Sequence, residues 1–141
     1  MKFGIALASA VDSWKHVRRA EELGFTSSWF YDTQLLNPDI FICMALAAEK
    51  TSRIRLGTGV LIPSNRIEPV AANALATLNR IAPGRIDFGV GTGFTARRTM
   101  GLKAIQLRKM KKYIGRVQEL LSGQVIEWDF ESKNRKLGFL N

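Results

Sequence analysis

Cysteine and histidine are nearly absent from this 141-residue sequence, which contains one of each, Cys43 and His16. A single cysteine excludes a disulfide within the chain, and this usage is typical of a reducing compartment. One cysteine and one histidine also exclude a clustered zinc site and a Cys–His catalytic pair built by this chain alone. We therefore expect no metal site, and we interpret Cys43 as a small buried hydrophobic residue.

Long apolar runs are also missing. No stretch approaches the ~20 apolar residues of a membrane helix, and the run that follows Met1 is too short for a signal peptide. Hydrophobic residues make up 46% of the sequence, which is enough to build the buried core of one domain. We expect a single domain spanning residues 1–141, located in the cytoplasm and without a membrane partner.

The charge is unbalanced, with 21 Lys and Arg against 12 Asp and Glu and a formal net charge of +9. Much of the excess falls in the last third of the chain, where Arg108, Lys112 and Arg116 recur at the four-residue spacing of one helix face. Basic residues in this pattern are typical of a solvated helix face. Aromatic residues are not interleaved with them, so a nucleic-acid partner is not expected.

Short β-compatible runs alternate with helix-patterned stretches along most of the chain. Strands are predicted at residues 3–8, 26–31, 54–62 and 86–90, and helices at residues 12–23, 37–50, 68–81 and 104–121. Connections of this length suit parallel strands, which predicts an α/β fold with a parallel sheet. Residues 123–141 carry no strong signal and are predicted to form an irregular tail, either a loop or a small hairpin.

Two glycine-rich runs, at residues 57–60 and 89–93, stand at the predicted ends of the third and fourth strands. The carboxyl ends of parallel strands face a shared crevice, where glycine lets a ligand approach the backbone closely. Each run alone would serve tight strand-to-helix packing equally well. Two such runs on successive strands favour a ligand site.

The segment Gly91–Ala96 also fits the dinucleotide-binding pattern G-x-G-x-x-G/A, which makes a Rossmann-type NAD(P)-dependent dehydrogenase a further alternative. Two features count against it. The segment follows the fourth predicted strand, whereas such fingerprints normally follow an early one. About twenty residues further on, Lys111 and Lys112 occupy the place where an acidic residue would bind the ribose.

The residues around these runs resemble the luciferase-like monooxygenase superfamily, flavin or deazaflavin enzymes built on a (β/α)8 barrel. The best-matching segments are Arg53–Pro63, Pro69–Leu78 and Ala82–Gly93, and Asp32 at the end of the second strand also fits. The resemblance runs from Met1 nearly to the C-terminus. It implies a TIM-barrel-type fold and an oxidoreductase or monooxygenase that uses coenzyme F-420 or FMN.

The resemblance also implies roles for individual residues. In this superfamily the third strand ends in a bulge, often with a non-proline cis peptide, that lies behind the cofactor ring, and the matching pair here is Gly59 and Val60. The acidic residue matching Asp32 lies near the ring in the F-420 branch, where it would be the catalytic residue that assists proton transfer. A turn or helix cap is its alternative role. The other implied cofactor-binding residues are Thr58, Asn65, Gly91, Thr92 and Gly93.

Two positions depart from the sugar-phosphate dehydrogenase branch of this superfamily. That branch carries a histidine directly after the strand-two aspartate and a glutamate after the Gly-Thr-Gly run, and both serve as acid or base. Here these positions hold Thr33 and Phe94. These departures argue against a sugar-phosphate dehydrogenase activity. The expected substrate is a small organic molecule whose type the sequence does not define.

A (β/α)8 barrel needs about 250 residues, whereas this sequence provides about four β/α units. We therefore expect a half-barrel, the N-terminal half of such an enzyme, present as a fragment, a split-gene product or a truncated reading frame. An open parallel sheet exposes unpaired edges and apolar surface, so we expect a second copy or a complementary chain to cover it. The alternative from another class is a non-catalytic half-barrel that acts as a binding or scaffold module.

Overall fold

Strands and helices alternate along the chain and build one four-stranded sheet, followed by a small hairpin. The computed structural model describes residues 1–63 and 65–140. The strands of the sheet are β1 (Gly4–Leu7), β2 (Ser27–Phe30), β3 (Arg55–Thr58) and β4 (Ile86–Asp87). The helices are α1 (Ser13–Glu22), α2 (Ile40–Lys50), α3 (Glu68–Ile81), α4 (Phe94–Arg98) and α5 (Leu107–Leu121). The hairpin consists of β5 (Ile126–Phe130) and β6 (Lys133–Leu137).

The strands of the sheet lie side by side in chain order, and each neighbouring pair is parallel. Ser28 of β2 pairs with Leu56 of β3, which pairs in turn with Ile86 of β4. This sequential order is that of a (β/α)8 barrel, whereas a dinucleotide-binding sheet contains a reversal of strand order. The predicted α/β fold with a parallel sheet is confirmed, and the Rossmann-type alternative is wrong.

The core lies between the sheet and the helices. Phe30 and Leu56 point from adjacent strands toward the helices and are fully buried. Helix α2 presents Met44 and Ala47 to them, both also fully buried, and Cys43 lies in the same cluster as a free, buried thiol. Burial of apolar side chains between these layers is the main source of stability for the chain on its own.

The opposite face of the sheet is open. Side chains alternate along a strand, so Trp29 and Arg55 project away from the helices, and a Cβ added to Gly57 would come within 2.5 Å of the Trp29 ring. Gly4 and Ala6 of β1 are exposed. We call this the inner face, because it corresponds to the interior of a closed barrel. Within the described residues no layer covers it.

The third and fourth strands are shorter than predicted. The hydroxyl of Thr58 donates to the Gly89 carbonyl at 2.7 Å and accepts from the Gly89 N–H at 3.0 Å. The Thr58 side chain thus binds the Gly89 N–H, which would otherwise be free to continue the ladder between β3 and β4. A single parallel bridge between Leu61 and Val90 follows beyond that point.

The helices follow the predictions with shifts at two starts and one addition. Helix α2 begins at Ile40 instead of near residue 37, because the Asp39 side chain caps it by accepting from the N–H groups of Phe41 and Ile42. Helix α5 begins at Leu107 instead of residue 104, and α4 was not predicted because its short segment has no apolar periodicity. No helix in the described ranges is both long and apolar enough to span a membrane.

The prediction of an irregular tail over residues 123–141 is wrong for residues 126–137, where the hairpin alternative is the one observed. Ile126 is buried, and Trp128 packs against the core. The turn places Glu131 and Ser132 at φ of 50° and 62°, a conformation usually signalled by Asn-Gly. Without that signal the sequence left the choice between a loop and a hairpin open. Asn141 lies outside the described residues.

Candidate functional site

A cleft of about 510 Å³ opens at the carboxyl ends of β2, β3 and β4. Three segments line it, each following a strand, as expected when parallel strands end at one edge of a sheet. The lining residues are Tyr31, Asp32, Thr33, Gly59, Val60, Ile62 and residues 91–96.

Six of the predicted site residues meet at this cleft, namely Asp32, Gly59, Val60, Gly91, Thr92 and Gly93. The other two do not line it. Thr58 is fully buried behind it, with its hydroxyl bonded to Gly89. Asn65 is turned toward Gln34, to whose Oε1 its Nδ2 donates at 2.5 Å.

The wall of the cleft is apolar and closely packed. The peptide bond between Gly59 and Val60 is cis, as the resemblance implies, and the Val60 side chain remains 39% exposed toward the cleft. A Cβ on Gly91 would lie 2.4 Å from Val60 Cγ2, and one on Gly93 would lie 2.5 Å from Ile62 Cγ2. Glycine is required at both positions because the two strand ends approach this closely.

Asp32 lies beneath the cleft with only 2% of its side chain exposed. Its Oδ2 accepts from the Ile62 N–H at 3.2 Å, and its Oδ1 accepts from Gln34 Nε2 at 2.6 Å. Arg66 Nη1 contacts both oxygens, at 3.0 and 3.1 Å. The carboxylate is therefore fully hydrogen-bonded, as a buried charge must be.

Arg66 is the residue that the sequence analysis missed. Its guanidinium lies between Asp32 and Asp39 and is 4.9 Å from the centre of the Phe41 ring. Burial opposes its charge, but the attraction of Asp32 and the hydrogen bonds to both carboxylates outweigh burial and raise the pKa of Arg66. Its partners are 27 and 34 residues away in sequence, so no local pattern indicates the pairing.

The cleft can hold a planar organic ligand, and its chemistry does not suit a metal ion. Its titratable lining side chains are Tyr31 and Asp32. Among residues 1–63 and 65–140, no group of three His, Cys, Asp or Glu side chains is placed to hold a metal. Val60 and Ile62 form an apolar side of the cleft, with backbone groups of residues 91–93 at the adjacent strand end. Thr33 and Phe94 both line the cleft, so the two positions that depart from the sugar-phosphate dehydrogenase branch hold side chains without an acid or base group.

A second, larger cavity of about 780 Å³ lies at the opposite end of the sheet and on its inner face. It is lined by charged residues that include Glu21, Arg53, Arg55 and Asp87. Ligand sites of parallel α/β folds lie at the carboxyl ends of the strands. We therefore assign the functional site to the smaller cleft.

Comparison with known proteins agrees with this geometry. The profile of the family described as luciferase-like monooxygenase matches residues 5–138. The 5,10-methylenetetrahydromethanopterin reductase of Archaeoglobus fulgidus is 30% identical over 147 residues, covering 99% of this chain and 44% of that protein. The F420-dependent glucose-6-phosphate dehydrogenase of Kineococcus radiotolerans is 33% identical over 129 residues, covering 82% of this chain and 38% of that protein.

A solved structure gives the same result for the fold. The coenzyme F420-dependent tetrahydromethanopterin reductase from Methanopyrus kandleri superposes with a TM-score of 0.79 at 25% identity, covering 95% of this chain and 44% of that chain. The predicted barrel-type fold is confirmed, with part of the barrel present, and the chain spans less than half the length of these relatives. On the profile match and the relatives together, the chain belongs to the luciferase-like monooxygenase family.

Proposed function

We propose that the chain supplies part of the ring pocket of a flavin- or deazaflavin-dependent oxidoreductase. The observation that carries this proposal is the cleft wall, in which Val60 and Ile62 face an open slot backed by glycine-rich strand ends. A hydride carrier needs one ring face held against such a wall and the other face open to substrate. The cleft volume of about 510 Å³ lies within the ~300–1,000 Å³ of small-molecule sites.

Coenzyme F-420 is the proposed cofactor, with FMN as the alternative. The Gly59–Val60 pair and Asp32 support F-420 through the family resemblance, and the similar proteins from Kineococcus and Methanopyrus carry F420 in their names. When bound, such a cofactor supplies hydride transfer to or from a small organic substrate. Thr33 and Phe94 favour a substrate other than a sugar phosphate.

Asp32 is the proposed carboxylate for assisting proton transfer. It lies at the cleft, and its hydrogen bonds to Ile62 and Gln34 fix its orientation. Thr92 and the neighbouring backbone are the polar groups proposed to orient the ring edges. Asn65 and Thr58 support the wall from behind and do not contact the ring directly.

A complementary four-stranded unit is the proposed partner, either a second copy or another chain. Strands β1 and β4 each pair with one neighbour, so each leaves one edge free within the described residues. Parallel strands added at both edges would close the sheet and cover the inner face. The proposed setting is the cytoplasm.

Light scattering during titration with coenzyme F-420 and with FMN tests the proposal, because it reads mass and bound chromophore together. Val60→Asp places a charge on the cleft wall and should abolish binding, whereas Val70→Asp makes the same change at an exposed position of α3 outside the cleft. We expect a dimer or larger complex that carries cofactor in the wild type and in Val70→Asp only.

The unpaired edges and open inner face also favour a second candidate, a non-catalytic half-barrel that acts by association alone. An assembled complex that binds neither cofactor would support this candidate and contradict the first. Binding that is equally strong in Val60→Asp would show that the ligand occupies another site.

A further inference from the structure

Arg66 joins four parts of the chain behind the cleft. Its Nη1 contacts both oxygens of Asp32, and its Nη2 pairs with Asp39, which also caps helix α2. The guanidinium lies against Phe41 of that helix. Its own backbone carbonyl accepts a hydrogen bond of 2.9 Å from the Tyr113 hydroxyl on α5. The planar fork of an arginine can hold two carboxylates at once, which the single ammonium of a lysine does with much poorer geometry.

The link from Arg66 to the cleft is a single carboxylate. Asp32 receives Arg66 on one side and accepts from the Ile62 N–H on the other, at 3.2 Å. Ile62 lines the cleft and packs against Gly93 closely enough that no Cβ fits there. A displacement of Asp32 therefore moves Ile62, and with it the wall on which a ring would lie.

Tyr113 of α5 holds the backbone of Arg66 in place through its hydroxyl. It is 4% exposed, and burial together with the charge of Glu68 raises its pKa, so the hydroxyl stays protonated and donates. Gln34 adds a parallel connection, because it donates to Asp32 and accepts from Asn65. The loop before α3 is thus held at Asn65 and Arg66, although neither side chain lines the cleft.

We propose that Arg66 is a positioning residue for the cofactor site, which holds the wall formed by Val60 and Ile62 and orients Asp32. The identity of the ligand in this inference rests on the proposed function. The effect of Arg66 on Asp32 and Ile62 does not. Arg66 does not line the cleft. Arg66 therefore acts on the cleft wall through its ion pair with Asp32.

Arg55 provides a matched control. It also pairs with an aspartate through two hydrogen bonds, to Asp87 at 2.8 and 2.5 Å, and it also binds a backbone carbonyl, that of Gly84. It lies on the inner face, away from the cleft. Arg66→Lys and Arg55→Lys therefore make the same chemical change to two arginine–aspartate pairs that differ in position and in exposure.

The first measurement is amide hydrogen exchange on the full chain without cofactor. In Arg66→Lys we expect the Ile62 amide to exchange about tenfold faster. The Gly59 amide, which donates to Phe30 O at 2.7 Å, serves as an internal reference and should be unchanged. Arg55→Lys should leave both amides unchanged. Unchanged exchange at Ile62 in Arg66→Lys would overturn the proposal.

The second measurement is titration with coenzyme F-420 and FMN, with the absorption spectrum of the bound cofactor recorded. We expect about tenfold weaker binding and an altered spectrum in Arg66→Lys but not in Arg55→Lys. Equal weakening in both variants would indicate a general loss of stability and overturn the proposal. Absence of binding in the wild type would overturn the proposed function, and the exchange result then decides the role of Arg66 alone.

If Arg66→Lys fails to fold, Asp39→Asn replaces it. Asparagine keeps the helix cap but weakens the outer ion pair with Arg66, at a side chain that is 40% exposed. We expect the Ile62 amide to exchange faster in this variant as well, by a smaller factor. Unchanged exchange would contradict the role assigned to Arg66.

Discussion

The two ends of the sheet each hold an arginine against an aspartate, but in opposite surroundings. At the carboxyl end, the side chains of Arg66 and Asp32 are 14% and 2% exposed. At the amino end, those of Arg55 and Asp87 are 47% and 27% exposed. Removing one partner of a buried pair leaves an uncompensated charge, whereas an exposed pair is replaced by water at little cost. The same ion pair is therefore essential at one end and nearly dispensable at the other.

Arg66→Met should produce the largest effect, because it leaves Asp32 buried without its cation. We expect the free energy of unfolding to fall by about 3–5 kcal/mol, measured by urea denaturation followed by circular dichroism. A loss below about 1 kcal/mol would mean that water reaches Asp32 and that the pair behaves like an exposed one.

Gly91→Ala tests the close approach at the cleft. The new methyl group would lie 2.4 Å from Val60 Cγ2, so the Val60 side chain or one strand end must shift, at a cost of about 1–3 kcal/mol. The control is Gly115→Ala in the middle of α5, where nothing lies within 4 Å and alanine should stabilise the helix by about 1 kcal/mol. Thermal unfolding of both variants would measure the difference, and equal shifts would contradict the contact.

Glu21→Gln tests a carboxylate at the amino end. Glu21 accepts from the N–H groups of Ser52, Arg53 and Ile54 at 3.0, 2.6 and 2.8 Å. Burial opposes its charge, but these three bonds outweigh burial and lower the pKa of Glu21 from its usual 4.5. The stabilisation is therefore complete above about pH 4.5 and is lost as the pH falls through the lower, folded-state pKa.

We expect Glu21→Gln to cost about 1–2 kcal/mol near neutral pH and to flatten the fall in stability on acidification. Urea denaturation from about pH 6 to about pH 3 measures this. If the free energy of unfolding falls with pH as steeply in Glu21→Gln as in the wild type, the acid sensitivity comes from other carboxylates. Asp39 is one of these, because Arg66 lowers its pKa against the effect of burial.

Arg55→Met should produce the smallest effect, below about 1 kcal/mol, under the same urea conditions as Arg66→Met. The difference between the two losses in unfolding free energy measures how much the buried ion pair exceeds the exposed one. A loss as large as that of Arg66→Met would mean that the inner face is covered in solution, because only a desolvated pair would cost so much.

The sequence predicted the features that depend on nearby residues. Strand and helix order followed from hydrophobic periodicity, and the glycine runs at residues 57–60 and 89–93 lie at the carboxyl-end edge of the sheet, as predicted. Pro69 near the start of α3 marked that helix correctly, because proline is tolerated in the first turn.

The features that were missed depend on distant partners. Arg66 is one of 21 basic residues, and only the folded chain brings it between Asp32 and Asp39. The hydrogen bond between the Thr58 hydroxyl and Gly89, 31 residues away, was also not predicted. Such pairings are set by strand register and loop packing, for which a single sequence carries no local signal.

Trp29 gives the inner face a further property. Its ring lies over Gly57, where an added Cβ would come within 2.5 Å of the ring, and its Cβ lies 2.9 Å from the place of a Cβ on Gly59, so glycine lets the indole rest directly on the sheet. A closing half-barrel would bury the other side of that ring and move its emission to shorter wavelength. The fluorescence of Trp29 would therefore report whether another chain covers the inner face.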